Sequence, residues 1–148
     1  MLTNPGACEG LRIVRTVVLR RGPDVARFMP ALSPNKKLVE TYLNAGRSKS
    51  AGLMTEDVEW VEWGDGVPPT GSVNKGKAAV IGNPGDDKLR NVITRMTEEG
   101  NVVVAEGICH VTKPDGNSLR VRFCNIFELK NGKVKRLDSF GALLKDTA

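Results

Sequence analysis

Residues 119–140 read LRVRFCNIFELKNGKVKRLDSF, two apolar-alternating runs joined by Asn131-Gly132. An Asn-Gly pair suits the two-residue hairpin turn that needs positive φ at both central positions. Such a turn pairs Lys130 with Lys133, Leu129 with Val134, Phe127 with Arg136, Asn125 with Asp138 and Phe123 with Phe140. Two polar residues, Asn125 and Asp138, then face each other on a side that is otherwise apolar.

The same reasoning extends one strand upstream. If Asp115-Gly116 is also a two-residue turn, His110 opposes Val121, Ile108 opposes Phe123, Glu106 opposes Asn125 and Val104 opposes Phe127. One face then carries Val102, Val104, Ile108, Val121, Phe123, Phe127, Leu129, Val134 and Phe140. The expectation is a buried face crossed by one polar row, Glu106, Asn125 and Asp138, with Arg136 and His110 a step along the strands.

Directly opposed side chains stand roughly 5 Å apart at Cβ, so Asn125 would hydrogen-bond both carboxylates. Apolar walls and a second nearby carboxylate both raise a carboxyl pKa, which suits an acid or base working near neutral pH. The structural alternative is that Arg136 neutralises one carboxylate and the row only fixes the sheet. On the other strand faces Arg120, Arg122, Glu128 and Lys135 alternate with Cys124, Ile126 and Leu137, a solvated or subunit-covered pattern.

Upstream, SPNKKLVETYLNAG predicts one amphipathic helix. Ser33 caps it, Pro34 takes its first turn, Leu38, Val39, Tyr42 and Leu43 form its apolar stripe, and Gly46 stops it. TEDVEWVEWGDGVPP predicts a strand, with Val58, Trp60 and Glu62 on one face and Glu59, Val61 and Trp63 on the other. Each face carries two apolar residues and one carboxylate, so alternation does not choose between Glu59 and Glu62. A Gly/Pro-rich loop and a short helical run, GKAAVIG, follow, and from Asp87 the chain reads as a strand meander. Helices first and antiparallel strands after predict an α+β fold with helices over one face of a curved sheet.

The chain has 148 residues, enough for one self-sufficient core. No apolar run is long enough to span a bilayer as a helix. Cys8, Cys109 and Cys124 are odd in number and lack CxxC spacing, which argues against a disulfide framework or zinc site and for a reducing, cytoplasmic compartment.

The net charge is +5, and residues 1–30, with five arginines against Glu9 and Asp24, hold +3 of it. The remainder is nearly neutral and lacks interleaved surface aromatics, which argues against nucleic-acid binding. Residues 1–30 read as an N-terminal extension, either a targeting peptide or a start placed too early before Met29-Pro30, and 31–148 as the domain.

The Tyr-bearing helix, the strand TEDVEW, the loop GVPPTG, the run GKAAV and the closing FELKNGKVKRLDSF together resemble the nuclear transport factor 2-like superfamily. Its SnoaL-like polyketide cyclases, ketosteroid isomerases and limonene epoxide hydrolases are the members in view. The resemblance covers about residues 33–145 and implies a cone-like α+β barrel around a small-molecule pocket, commonly in a homodimer.

It places Tyr42 near the isomerases' helix tyrosine, which donates to the developing oxyanion, and Glu62 near their general base, favouring Glu62 over Glu59. Phe123 stands where those enzymes have a second, acidic donor, which argues against steroid isomerisation. Against the epoxide hydrolases, Trp60 and Glu62 stand where a Tyr and an Asn help hold the attacking water, Glu106 and Ile108 where the Arg and an Asp of the catalytic Asp-Arg-Asp set stand, and Asp138 close to the last aspartate, so their triad is not reproduced.

The expectation is cofactor-independent and metal-free acid/base chemistry on a small hydrophobic carbonyl or hydroxyl compound. Glu62 or Asp138 would take a proton, Tyr42 or a protonated Glu106 would steady the oxygen, and Asn125 would orient them. Trp60, His110, Phe123, Phe127 and Arg136 would bind the substrate. The alternative is a non-catalytic ligand carrier or dimerisation module of the same fold.

Overall fold

A computed structural model describes residues 31–46, 49–82 and 87–145. The readings of residues 1–30 and of Cys8 lie outside them. The elements are α1 (Pro34–Ala45), a 3-10 turn (Lys49–Leu53), β1 (Met54–Gly64), β2 (Ser72–Lys75), α2 (Lys77–Ile81), β3 (Lys88–Glu99), β4 (Val102–Thr112), β5 (Ser118–Lys130) and β6 (Lys133–Leu144). β2 falls where the sequence reads as loop; its four residues are too few for alternation to register.

Helix α1 starts and stops where its residues dictate. The Ser33 side chain accepts from the Lys36 N–H at 3.1 Å, Pro34 opens the first turn, and Gly46 leaves the helix at φ 73°. Both ends are tied to β3. Glu98 takes hydrogen bonds from the Ser33 hydroxyl and from Asn35 Nδ2, the latter at 2.9 Å, and Asn91 Nδ2 donates to the Leu43 carbonyl at 2.7 Å. The apolar stripe is as expected, with Val39 fully buried and Leu38, Tyr42 and Leu43 packed against the core.

The strands form one six-stranded sheet in the order β2-β1-β6-β5-β4-β3. Every pairing is antiparallel except that β1 runs parallel to β6, so the sheet is mixed where an antiparallel one was expected. The sheet is curved over α1 and is not closed. Its inner face carries Val58, Val103, Ala105, Phe123, Phe127, Leu129, Val134 and Leu137, all buried in one cluster with Val39, Met54 and Val80.

The Asn131-Gly132 turn is as expected, with φ 51° and 70°, and it pairs Lys130 with Lys133 and Leu129 with Val134. Beyond it the register departs. A bulge sets Glu128 against Arg136, so Phe127 meets Leu137, Asn125 meets Ser139 and Phe123 meets Gly141. A bulge adds one residue to one strand and moves everything beyond it to the opposite face.

The β4–β5 connection departs for a second reason. It is a five-residue loop, Lys113–Asn117, between paired Thr112 and Ser118, not a two-residue turn. Asp115 Oδ1 accepts from the Asn117 N–H at 2.9 Å, and Gly116, at φ 87°, donates its N–H to the Lys113 carbonyl. The odd loop length turns β4 over relative to β5: Ala105 opposes Asn125, Gly107 opposes Phe123, and Glu106 opposes Cys124. Val102, Val104 and Ile108 therefore lie on the outer face, and Leu137 lies inside.

Candidate functional site

Between α1 and the inner sheet face lies a cavity of about 750 Å³, within the size range of small-molecule sites. β1 contributes Trp60 and Glu62; β6 contributes Leu137, Ser139 and Leu143; β5 contributes Val121, Phe123 and Asn125; β4 contributes Cys109; and β3 contributes Leu89 and Asn91. Tyr42, Leu43 and Asn44 of α1 close the opposite side.

A polar row does cross this face, but only one of its three members is the expected one. In the parallel β1–β6 register Glu62 stands beside Ser139, and in the β5–β6 register Ser139 stands beside Asn125. The Ser139 hydroxyl donates to Asn125 Oδ1 at 2.9 Å, and Asn125 is 8 % exposed. With Oδ1 turned toward Ser139, the donor that Asn125 offers a ligand is its amide NH₂. Ala105, on the far side of Asn125, is fully buried and too small to fill the space above the row.

Tyr42 meets Phe127 edge-on, with ring centroids 5.5 Å apart at 76°. That contact fixes the tyrosine ring over the floor of the cavity. Phe127, expected to touch substrate, is fully buried beneath Tyr42 and packs the core instead.

Glu106, Asp138, Arg136 and His110 are corrections, since all four lie on the outer sheet face. Glu106 is ion-paired with Arg95, whose hydrogen bond holds the carboxyl below its ordinary range, opposite to the raised value expected of a buried acid. Asp138 takes two hydrogen bonds from Arg136, at 2.7 and 3.0 Å, and Arg136 also donates to Glu59 at 3.1 Å. Those contacts raise the Arg136 pKa, the Asp138 hydrogen bond contributing most. His110 stands between Arg90 and Arg120 in the register of the outer face.

Glu59 and Glu62 are now distinguished. Glu59 pairs with Arg136 and with Lys75, the latter at 3.0 Å, while Glu62 lines the cavity. Of the residues expected at the site, the fold brings together Tyr42, Trp60, Glu62, Phe123 and Asn125.

Sequence reasoning missed Ser139, Asn91, Cys109, Trp63 and Asp65 as lining residues. The usable signal was the small-residue series Ala105, Gly107 and Cys109, which marks the face of β4 that lies close under other groups. A Cβ at Gly107 would lie 2.1 Å from the Val92 carbonyl oxygen and 2.8 Å from the Phe123 ring. Burial raises the Cys109 thiol pKa. Among the described residues no cluster of His, Cys, Asp and Glu is arranged to hold a metal ion, and no helix is long and apolar enough to cross a membrane.

The family model for a SnoaL-like domain matches residues 36–137, more than half of the chain. The chain belongs to this family, and its fold is that of the nuclear transport factor 2-like proteins. A search of curated protein sequences finds no match.

Solved structures of the same fold include an NTF2-like protein of unknown function from Burkholderia pseudomallei, with TM-score 0.61, 22 % identity, and coverage of 73 % of this chain and 90 % of that one. An LEH-like epoxide hydrolase from M. tuberculosis aligns with TM-score 0.60 and 18 % identity over 76 % of this chain and 85 % of that one. A candidate SnoaL-like polyketide cyclase from Jannaschia sp. CCS1 aligns with TM-score 0.58 and 18 % identity over 76 % and 91 %. At such identities the likeness shows the fold alone.

Proposed function

We propose that the cavity is an acid/base site for a small hydrophobic carbonyl or hydroxyl compound, with Glu62 as the base. The observation that carries this reading is the inner row: a carboxylate beside a serine–asparagine pair, set among Trp60, Phe123 and Leu137. A carboxylate on an apolar wall takes a proton from carbon most effectively when its partners also steady the oxygen that becomes negative. Tyr42 and the Asn125 NH₂ group serve as those donors, and Ser139 orients Asn125. Proton transfer next to a carbonyl requires neither a metal nor an organic cofactor.

The test begins with thermal-shift screening against polyketide-like, steroid-like and terpenoid ketones. Exchange of the α-hydrogens of a stabilising ketone is then followed by NMR in deuterated water. The expected result is protein-dependent exchange that falls by about a hundredfold in Glu62→Gln. Exchange no faster than in buffer would leave a ligand carrier, the alternative use of this fold.

We also propose that two copies pair through the outer sheet face. Val92, Ile126 and Phe140 are 39 %, 36 % and 42 % exposed there, an apolar belt of the kind that marks an interaction surface. One end of this face carries Arg90, Arg95, Arg120 and Arg122, with Glu106 paired to Arg95, and the other carries Glu59, Glu99, Glu128 and Asp138, with Arg136 paired to Glu59 and Asp138 and Lys75 to Glu59. A two-fold axis lying between the sheets and across the strands lays one copy's arginines over the other's carboxylates. Cys109 and Cys124 are free thiols, which supports work in the cytoplasm.

A further inference from the structure

Helix α1 closes one side of the cavity, and its last turn carries Tyr42. The carbonyls of Tyr42, Leu43, Asn44 and Ala45 belong to that turn, where no intrahelical N–H reaches them. One of them takes a partner from the sheet: Asn91 Nδ2 donates to the Leu43 carbonyl at 2.7 Å. A carbonyl oxygen only accepts, so the amide prong that faces it is the NH₂ group.

Asn91 touches the helix and the cavity at once. It lies half-buried on β3, the edge strand, opposite Cys109 of β4, and it lines the cavity with Tyr42 and Leu43. The ladder to β4 fixes the β3 backbone, so the side chain carries the position of the sheet to the residue next to Tyr42. Gly46 ends the helix at once, at φ 73°, and no further turn buttresses it. The edge-on contact with Phe127 sets the tilt of the Tyr42 ring. Apolar contact is not directional, and it does little to fix how far along the floor the last turn stands. The bond to Leu43 is directional and does so.

We propose that Asn91 is a positioning residue: by holding the Leu43 carbonyl it sets the last turn of α1, and with it the Tyr42 hydroxyl, over the reacting end of the cavity. This rests on the acid/base reading, in which Tyr42 steadies the oxygen that becomes negative.

Two measurements on the full chain test it. Tyr42 is the only tyrosine, so incorporation of 3-fluorotyrosine gives one fluorine NMR line that reports its surroundings. Exchange of the ketone that most stabilises the chain in the thermal-shift screen, followed over a range of concentrations, gives kcat and KM. Asn91→Ala removes the donor, and Asn91→Asp keeps the size while presenting only acceptors to the Leu43 carbonyl at neutral pH. Both are expected to shift or broaden the fluorine line and to lower kcat about tenfold, with KM within about twofold of native. In a Tyr42→Phe background the same changes should cost no more than about twofold further, because the residue they act through is already gone. Glu98→Ala is the control. It frees the opposite end of the same helix, where Ser33 and Asn35 donate to Glu98, about 15 Å from Leu43, and should leave line and kcat native.

A native fluorine line in both Asn91 variants, a full further loss in the Tyr42→Phe background, or an equal effect of Glu98→Ala overturns the positioning role while the acid/base reading stands. Absence of exchange in the native chain overturns the acid/base reading, and with it the catalytic purpose of the bond; the fluorine line then decides separately whether Asn91 sets Tyr42.

Discussion

Cys109 lies on the inner side of β4 among the cavity walls, and burial holds its thiol above the ordinary range. Only the thiolate attacks an alkylating agent efficiently, so the sign of this shift has a consequence. A raised pKa keeps Cys109 as the neutral thiol through neutral pH, and its reactivity climbs only as the pH passes above the ordinary thiol value. In iodoacetamide labelling at pH 7 we expect Cys109 to react at least several-fold more slowly than Cys124, which lies outside. A ligand that fills the cavity should slow Cys109 further and leave Cys124 unaffected, as read by mass spectrometry of the labelled peptides. Equal protection of both thiols would mean that the ligand binds elsewhere.

At the scale of elements, β5 is the strand whose orientation its own residues settle: Phe123, Asn125, Phe127 and Leu129 face inward because Arg120, Arg122 and Glu128 cannot. Helix α1 and the Asn131-Gly132 turn were equally legible, since each depends on chemistry within a few residues. The faces of β4 and β6 were not. Val102, Val103, Val104 and Ala105 are apolar on both sides, so the register there depends on the loop, and PDGN permits an Asp115-centred five-residue loop as well as a two-residue turn. The bulge opposite Glu128 leaves no mark of its own among Val134, Lys135 and Arg136. Each one-residue slip exchanged the inner and outer rows, which is how Asn125 was found from sequence while Glu106 and Asp138 gave way to Ala105 and Ser139.

The orientation of β4 is testable through Gly107. A Cβ there collides with the Val92 carbonyl oxygen and the Phe123 ring, and forced overpacking of this kind costs about 1–3 kcal/mol. Gly107→Ala should lose that much in urea unfolding. Full stability in the variant would favour the opposite orientation, with Glu106 inside.

For the whole molecule, the curved sheet gives each face a separate role: the inner one walls a cavity, and the outer one presents an apolar belt between basic and acidic ends. Light scattering on the native chain should report a dimer, and Ile126→Glu, which puts a charge at the centre of that belt, should give a folded monomer. A native monomer at tens of micromolar, or a dimer indifferent to the Ile126 change, would contradict pairing through this face.

The central claim is that Glu62, Ser139 and Asn125, and not Glu106 and Asp138, form the polar row inside the fold. Its most direct test is ketone α-hydrogen exchange measured side by side in Glu62→Gln, Glu106→Gln and Asp138→Asn. The account predicts a drop of about a hundredfold in the first and rates within about twofold of native in the other two, because losing an outer carboxylate leaves the inner row's contacts in place. Native rates in Glu62→Gln together with loss in Glu106→Gln or Asp138→Asn would contradict it.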